Sequence, residues 1–117
     1  MTFEQFDIWL ADLSPQMGTE SGKVRPVLVI QTNLLNQISH ASVIICPITT
    51  NTVPNTQFLR VHLQTGMAHL HQDCDIMIDQ IRAIDAKRLI KKLGTLPYKL
   101  VETVKSNLRI MLDLDEN

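Results

Sequence analysis

The chain has 117 residues, a formal net charge of −1, and a composition that is 44% hydrophobic and 20% charged. This length suits one domain with a single modest core, and the near-neutral charge excludes strong electrostatic attraction of the whole protein to nucleic acid. No apolar run approaches the roughly 18 residues of a membrane span, and the N-terminus lacks a signal-peptide pattern, so residues 1–117 are expected to form one cytoplasmic domain.

Short apolar segments separated by turn residues dominate the first two thirds of the chain and predict the strands of an antiparallel sheet or small barrel. In the fourth segment, the alternation places Leu59, Val61 and Leu63 on one face. Arg60 and His62 then lie on the opposite face, toward either a ligand or solvent. The predicted strands are residues 8–13, 27–31, 43–48, 58–63 and 76–81.

The last third of the chain changes to a helical period. Asp85 suits the N-cap of a short helix over residues 86–93, and Gly94 suits its end. Pro97 suits the first turn of a second helix. One apolar stripe of that second helix is predicted to pack on the core. The stripe consists of Leu100, Val101, Val104, Leu108, Met111 and Leu112.

Cysteine and histidine residues give no strong signal for a disulfide or a metal site. Cys46 lies inside the apolar segment 43–48 and is expected to pack as a small hydrophobic residue. His69, His71 and Cys74 form an H-x-H-x-x-C pattern flanked by two aspartates. This spacing matches no standard zinc arrangement, so a solvated loop is favoured over a metal centre.

The loop before the second predicted strand, residues 18–26 (GTESGKVRP), is the first candidate for a functional site. It resembles a phosphate-binding P-loop only superficially, because it has one residue too few between the glycines and precedes a strand rather than a helix. Nucleotide hydrolysis is therefore rejected. Residues 1–81 contain only three cations, and two of them, Lys23 and Arg25, lie in this loop, while the third is Arg60.

Two interpretations remain open for Glu20, Arg25 and Thr49 when spacing alone is considered. The first is a structural salt bridge between Glu20 and Arg25, beside a hydroxyl at the end of the strand 43–48. The second is a catalytic group held at the surface by rigid strands.

Five stretches of the chain distinguish these interpretations. They are residues 7–15 (DIWLADLSP), 18–20 (GTE), 25–30 (RPVLVI), 47–49 (PIT) and 79–85 (DQIRAID). In this order they strongly resemble the MazF/PemK family of toxin endoribonucleases. The resemblance implies a small SH3-like antiparallel barrel with a C-terminal helix, and a homodimer. It also implies sequence-specific cleavage of single-stranded RNA without a metal or other cofactor, and neutralisation by a cognate antitoxin.

The same resemblance implies that Arg25 and Thr49 are catalytic and that Glu20 is their neighbour. In metal-free cleavage the 2′-hydroxyl attacks phosphorus, leaving a 2′,3′-cyclic phosphate and a 5′-hydroxyl. Arg25 would stabilise the charged phosphorane, and Thr49 would add a hydroxyl donor. Glu20 is the expected base, although pairing with Arg25 would lower the pKa of Glu20 and weaken it as a proton acceptor. Some family members use a carboxylate on the strand that matches residues 76–81, which makes Asp79 the rival base.

Two alternatives to the ribonuclease remain open. The position at which some family members have a second arginine is Met77 here, which weighs against a mechanism that needs that arginine. One alternative is a non-catalytic toxin of the same fold that binds a protein target, as the CcdB gyrase poisons do. The other is a degenerate relative that only binds antitoxin.

The expected RNA-binding residues are Ser21, Lys23, Thr50, Asn51, Arg60 and Gln80.

Overall fold

The structure, a computed structural model, describes residues 2–15, 17–19, 23–56 and 58–114, and antiparallel strands form its framework. Two α-helices and three short 3-10 turns connect or follow the strands. The strands are β1 (Asp7–Asp12), β2 (Val24–Val29), β3 (Ser42–Thr49), β4 (Arg60–Leu63), β5 (Cys74–Met77), β6 (Arg82–Asp85) and β7 (Leu89–Thr95). The helices are α1 (Asn33–Asn36) and α2 (Tyr98–Leu112), and the turns are Met67–His69, Ile78–Gln80 and Ala86–Arg88.

The described strands pair in the order β4-β5-β3-β2-β1-β7, and β6 pairs with β3. β3 is the central strand, since it also pairs with β2 and β5. Two register shifts in the β1–β7 ladder mark irregularities of the bulge type, which bend a sheet. The predicted antiparallel fold with a C-terminal helix is confirmed. Among the described strands, β4 and β7 remain unpaired with each other, so the curved sheet is not a continuous barrel.

Helix α2 covers one face of the sheet through the predicted apolar stripe. Val104 is fully buried at its centre, and Leu100, Val101, Leu108 and Met111 pack around it on the core. Leu112 is an exception.

Leu112 is 46% exposed, so its predicted place in the core is wrong. At about 100° per residue, Leu112 lies roughly 80° around the helix from Val104, whereas Met111 lies only about 20° away. Leu112 is also the last residue of α2, because Asp113 adopts a left-handed conformation that ends the helix.

In the described part of the chain, no helix has the length and apolar character needed to cross a membrane.

The predicted helix over residues 86–93 is wrong. Asp85 does cap a turn, since its Oδ1 accepts from the Lys87 amide at 2.8 Å, but that 3-10 turn ends at Arg88. Strand β7 follows and covers the edge of β1, which would otherwise present unpaired backbone groups. Gly94 lies within β7 rather than at a helix end. A Cβ there would lie 2.7 Å from the Ala68 Cα, so glycine permits a close approach of two backbone segments.

Both cysteines are buried and free, as expected for Cys46. Burial raises the pKa of the Cys46 thiol to about 12, and the Asp79 carboxylate adds to the shift. Burial also raises the pKa of the Cys74 thiol, with smaller contributions from Asp73 and Asp75. Because thiolates are the reactive form, both side chains act as packing groups.

Candidate active site

Arg25 and Thr49 lie near the ends of two paired strands. In the β2–β3 ladder, Val27 is opposite Pro47, and Arg25 and Thr49 each lie two residues beyond this last pair on their own strands. Residues opposite each other in antiparallel strands project from the same face of the sheet. Both residues are half-buried. The two candidate catalytic side chains therefore share one face and keep access to solvent.

Arg25 belongs to a strand, although the sequence predicts it in a loop. The β1–β2 ladder extends to the pair Asp12 and Val24, and Arg25 lies opposite Ala11 within it. The guanidinium therefore extends from backbone that is fixed by strand pairing. A charged group on rigid backbone is better preorganised for binding an anion than one on a mobile loop.

The Thr49 hydroxyl has a defined backbone partner. Its Oγ1 accepts a hydrogen bond from the Asn51 amide at 3.1 Å, and across the sheet Thr49 lies opposite Asp75 of β5. A hydroxyl that accepts in this way still has its own proton to donate. Thr49 can therefore donate to a phosphate oxygen while Asn51 holds its side chain in place.

The 3-10 turn Ile78–Gln80 lies against the segment before β2. The predicted strand over residues 76–81 ends early, at Met77, so Asp79 lies on this turn and is exposed. Gln80 Nε2 donates to the Thr19 carbonyl at 3.1 Å and joins the turn to the β1–β2 connection. A cavity of about 190 Å³ opens there, lined by Thr19, Asp79, Gln80, Ile81 and Arg82.

Arg82 is a basic residue of this cavity and is not among the predicted site residues. It begins β6 and lies opposite Ile45 of β3. The sequence could have indicated Arg82, because it lies in the DQIRAID stretch two residues after Gln80, a predicted RNA-binding residue. Arg82 therefore places a cation at this cavity.

Arg60 contacts internal groups rather than extending into solvent. Its Nη1 donates to Asp75 Oδ2 and to the Asn51 carbonyl, each at 3.1 Å, and its side chain is 23% exposed. The Asp75 carboxylate is fully buried and also accepts from the Val53 amide at 2.8 Å. Asp75 is not among the predicted site residues, although an acidic residue between Cys74 and Ile76 in a buried strand is a signal that the sequence contains.

His62 completes this cluster on the same face of the sheet as Arg60, where the alternation placed both. Its Nδ1 lies 2.5 Å from Asp75 Oδ1, and its Nε2 lies 2.6 Å from the Thr56 carbonyl oxygen. Both ring nitrogens therefore face acceptors, and only the protonated imidazolium can donate to both. The hydrogen bond to Asp75, with that to Thr56, raises the pKa of His62 above its ordinary value of 6.5.

The structure describes some of the remaining predicted site residues but not others. Glu20 and Ser21 lie outside the described residues. Lys23 and Thr50 are exposed, at the start of β2 and just after β3 respectively. Met77 is 5% exposed, so the position of the missing arginine holds a core side chain.

The histidine-rich segment between β4 and β5 has structural partners. His69 Nδ1 lies 2.6 Å from the Leu93 carbonyl oxygen on β7. Asp73 accepts from the Thr65 amide and hydroxyl, each at 2.8 Å, and these bonds lower the pKa of Asp73. Over the described ranges, no group of three or more His, Cys, Asp or Glu side chains is arranged to hold a metal ion.

The chain with this curved antiparallel sheet and one C-terminal helix matches a known family of toxins. The family model for PemK-like, MazF-like toxins of type II toxin–antitoxin systems matches residues 4–112. The chain belongs to this family. It is also 35% identical over 114 residues to the Endoribonuclease EndoA of Bacillus subtilis (strain 168), with 97% of each protein covered.

Solved structures show the same fold. MazF (Form-I) from Deinococcus radiodurans aligns with a TM-score of 0.80 and 23% identity, covering 97% of this chain and 99% of that one. The MazE–MazF complex (Form-II) from the same organism includes a chain that aligns with a TM-score of 0.76 and 20% identity, covering 98% and 99%. The fold that the sequence resemblance implied is therefore confirmed.

Proposed function

We propose that this protein is a sequence-specific, metal-independent endoribonuclease that cleaves single-stranded RNA as the toxin of a type II toxin–antitoxin pair. Membership of the toxin family and the 35% identity to EndoA support this activity. The single observation that carries the proposal is the placement of Arg25 on β2 and Thr49 at the end of β3, two strands that pair with each other.

Arg25 is the main electrostatic catalyst in this proposal. Attack of the 2′-hydroxyl on phosphorus builds negative charge on the non-bridging oxygens of the phosphorane. The planar guanidinium can donate two parallel hydrogen bonds to two of these oxygens. One preorganised donor of this kind is typically worth about 10²–10³ in rate. Arginine is a poor general acid because its intrinsic pKa exceeds about 12.

Thr49 is the second donor to the phosphorane. The Asn51 amide occupies one lone pair of Thr49 Oγ1, which leaves the hydroxyl proton for a phosphate oxygen. A donor at the end of β3 and a guanidinium at the start of β2 approach the same phosphate from neighbouring strands. Together they hold the scissile phosphate in the orientation that in-line attack requires.

The base is either Glu20 or Asp79, and two isosteric variants distinguish them. We expect Glu20→Gln or Asp79→Asn, but not both, to lower kcat/KM by about 10²–10⁴-fold, since this is the usual contribution of a general base. The same variant should lose the rise of kcat/KM with pH on the acid side. Single-turnover cleavage of one RNA oligonucleotide across pH measures both effects. Near-normal rates in both variants would rule out both carboxylates.

RNA binding is assigned to polar and basic residues around this phosphate site. Amide side chains can read unstacked bases by hydrogen bonds. Few cations surround the site, so the affinity for RNA should fall only gently with salt. Arg60 borders this surface and holds the loop after β3. The other proposed RNA-binding residues are Ser21, Lys23, Thr50, Asn51 and Gln80.

A cognate antitoxin is the proposed protein partner. The solved MazE–MazF complex supports this proposal, as does the toxin–antitoxin family. An extended antitoxin segment that occupies the RNA-binding surface would block cleavage directly. We further infer that residues 1–117 form one toxin domain that assembles as a homodimer and acts in the cytoplasm.

The first test is cleavage of mixed-sequence single-stranded RNA by the purified protein in excess EDTA. We expect new ends with a 2′,3′-cyclic phosphate and a 5′-hydroxyl, identified by mass spectrometry, at one short recurring sequence. Intact RNA from a folded sample would contradict the proposal and favour a toxin that binds without cutting. An Arg25→Ala sample separates true activity from a contaminating nuclease.

A further inference from the structure

A charge cluster around one buried carboxylate lies next to the loop that follows β3, yet the proposed chemistry does not use it directly. The cluster consists of Arg60 and His62 on β4 and Asp75 on β5. Asp75 is fully buried in a strand whose other residues are apolar or sulfur-containing. Burying an ionised carboxylate is costly unless hydrogen bonds and opposite charges compensate for lost solvation. This carboxylate therefore depends on its partners.

Part of the compensation comes from the loop itself. The Val53 amide donates to Asp75 Oδ2 at 2.8 Å, so the loop backbone supplies one of the three donors. Arg60 and His62 supply the other two, and each also binds a loop carbonyl, of Asn51 and Thr56 respectively. Residues 51–56 are therefore fastened to one buried anion at three points. Displacing the loop would leave that anion undersolvated.

The same contacts lead to the Thr49 hydroxyl. Arg60 Nη1 joins Asp75 to the Asn51 carbonyl, and the Asn51 amide in turn donates to Thr49 Oγ1. Asp75 also lies directly opposite Thr49 in the β3–β5 ladder. Hydrogen bonds on both sides of the Asn51 backbone thus connect the buried carboxylate to a proposed catalytic donor.

We propose that Arg60, His62 and Asp75 are positioning residues that fasten residues 51–56 and thereby orient the Thr49 hydroxyl toward the scissile phosphate. This inference rests on the proposed function of Thr49. None of the three needs to touch the reacting atoms. Their effect on cleavage is exerted through Asn51.

Protonation of His62 controls one of the three fastening points. A neutral imidazole has a single N–H, which the buried Asp75 carboxylate retains, and the contact with the Thr56 carbonyl is then lost. The charged groups around the ring are Asp75 from β5 and Arg60 from the same strand, and Asp73 and Cys74 line the adjoining cavity. Because the folded-state pKa is raised above 6.5, the fastening is complete below that pH. It weakens as pH rises through the pKa of the folded protein.

Hydrogen exchange of the Val53 amide tests the fastening without relying on RNA cleavage. In Asp75→Val, we expect this amide to exchange about 10–100-fold faster than in the wild type, as suits loss of a bond to a charged acceptor. Valine fits a buried strand, and Arg60 and His62 are exposed enough to turn toward water. His62→Gln provides a second, milder variant, and His71→Gln on an exposed loop is the matched control. Unchanged Val53 exchange in both variants would overturn the proposal.

Cleavage kinetics then test the positioning role. We expect kcat to fall in Asp75→Val and His62→Gln with a smaller change in KM, because Thr49 acts in the transition state. In the wild type, kcat should decline as pH rises through the pKa of His62, and His62→Gln should remove that decline. Faster Val53 exchange with normal kcat would overturn the positioning role. If Val53 exchanges faster in the variants but the wild-type protein cuts no RNA, the proposed function is contradicted while the contacts that hold the loop are supported.

Discussion

Replacing Arg25 with alanine is expected to lower kcat for RNA cleavage by about 10²–10³-fold, because the phosphorane loses its principal preorganised donor. The fold should persist, since Arg25 is half-buried at the beginning of β2 and its backbone pairing with Ala11 does not depend on the side chain. Single-turnover rates on one cleaved oligonucleotide measure the effect. Circular dichroism and thermal unfolding confirm that the variant is folded.

Two companion variants make the Arg25 prediction specific. Lys23→Ala removes an exposed cation two residues away and should weaken RNA binding while reducing the salt dependence by about one phosphate contact. Arg25→Lys keeps the charge but loses the planar fork, so it should restore only part of the rate. Equal activity of Arg25→Ala and wild type would remove Arg25 from the site. Equal losses in the Lys23 and Arg25 variants would indicate a general charge effect.

Replacing Leu28 with alanine is expected to lower the free energy of unfolding by about 2–5 kcal/mol, as truncations of buried leucine do when they leave a cavity. Leu28 is fully buried and lies on β2 between Ile8 of β1 and Cys46 of β3. The cavity would form where the three central strands meet, and neighbouring backbone cannot move in without breaking ladder hydrogen bonds. Urea unfolding followed by circular dichroism measures the change.

Leu114→Ala is the matched control for this stability prediction. It deletes the same atoms from a side chain that is 58% exposed after the end of α2. Its effect on the free energy of unfolding should stay within about 0.5 kcal/mol, as for most surface changes. If both variants unfold at the same urea concentration, the packing described around Leu28 is wrong.

Strands and helices were predictable where apolar residues recur along the chain with the period of a strand or of a helix. Val61 and Leu63 are buried as the alternation indicated, and Val104 is at the centre of the α2 stripe. The predicted helix over residues 86–93 failed because that segment contains good helix formers, while its actual state depends on β1. Pairing across the edge of β1 outweighed local propensity, and such pairing joins residues about 80 positions apart.

The candidate site was also predictable only in part. Arg25, Thr49 and Asp79 were selected because short stretches around them resemble a family, and residue identity alone carried that signal. The chain by itself thus determined an antiparallel sheet, a C-terminal helix and the residue types of the site. Only the tertiary structure decided that β7 covers β1, and that Asp75 holds Arg60 and His62 next to the loop after β3. A buried charge is stable only with the particular partners that folding brings to it, and those partners come from strands distant in sequence.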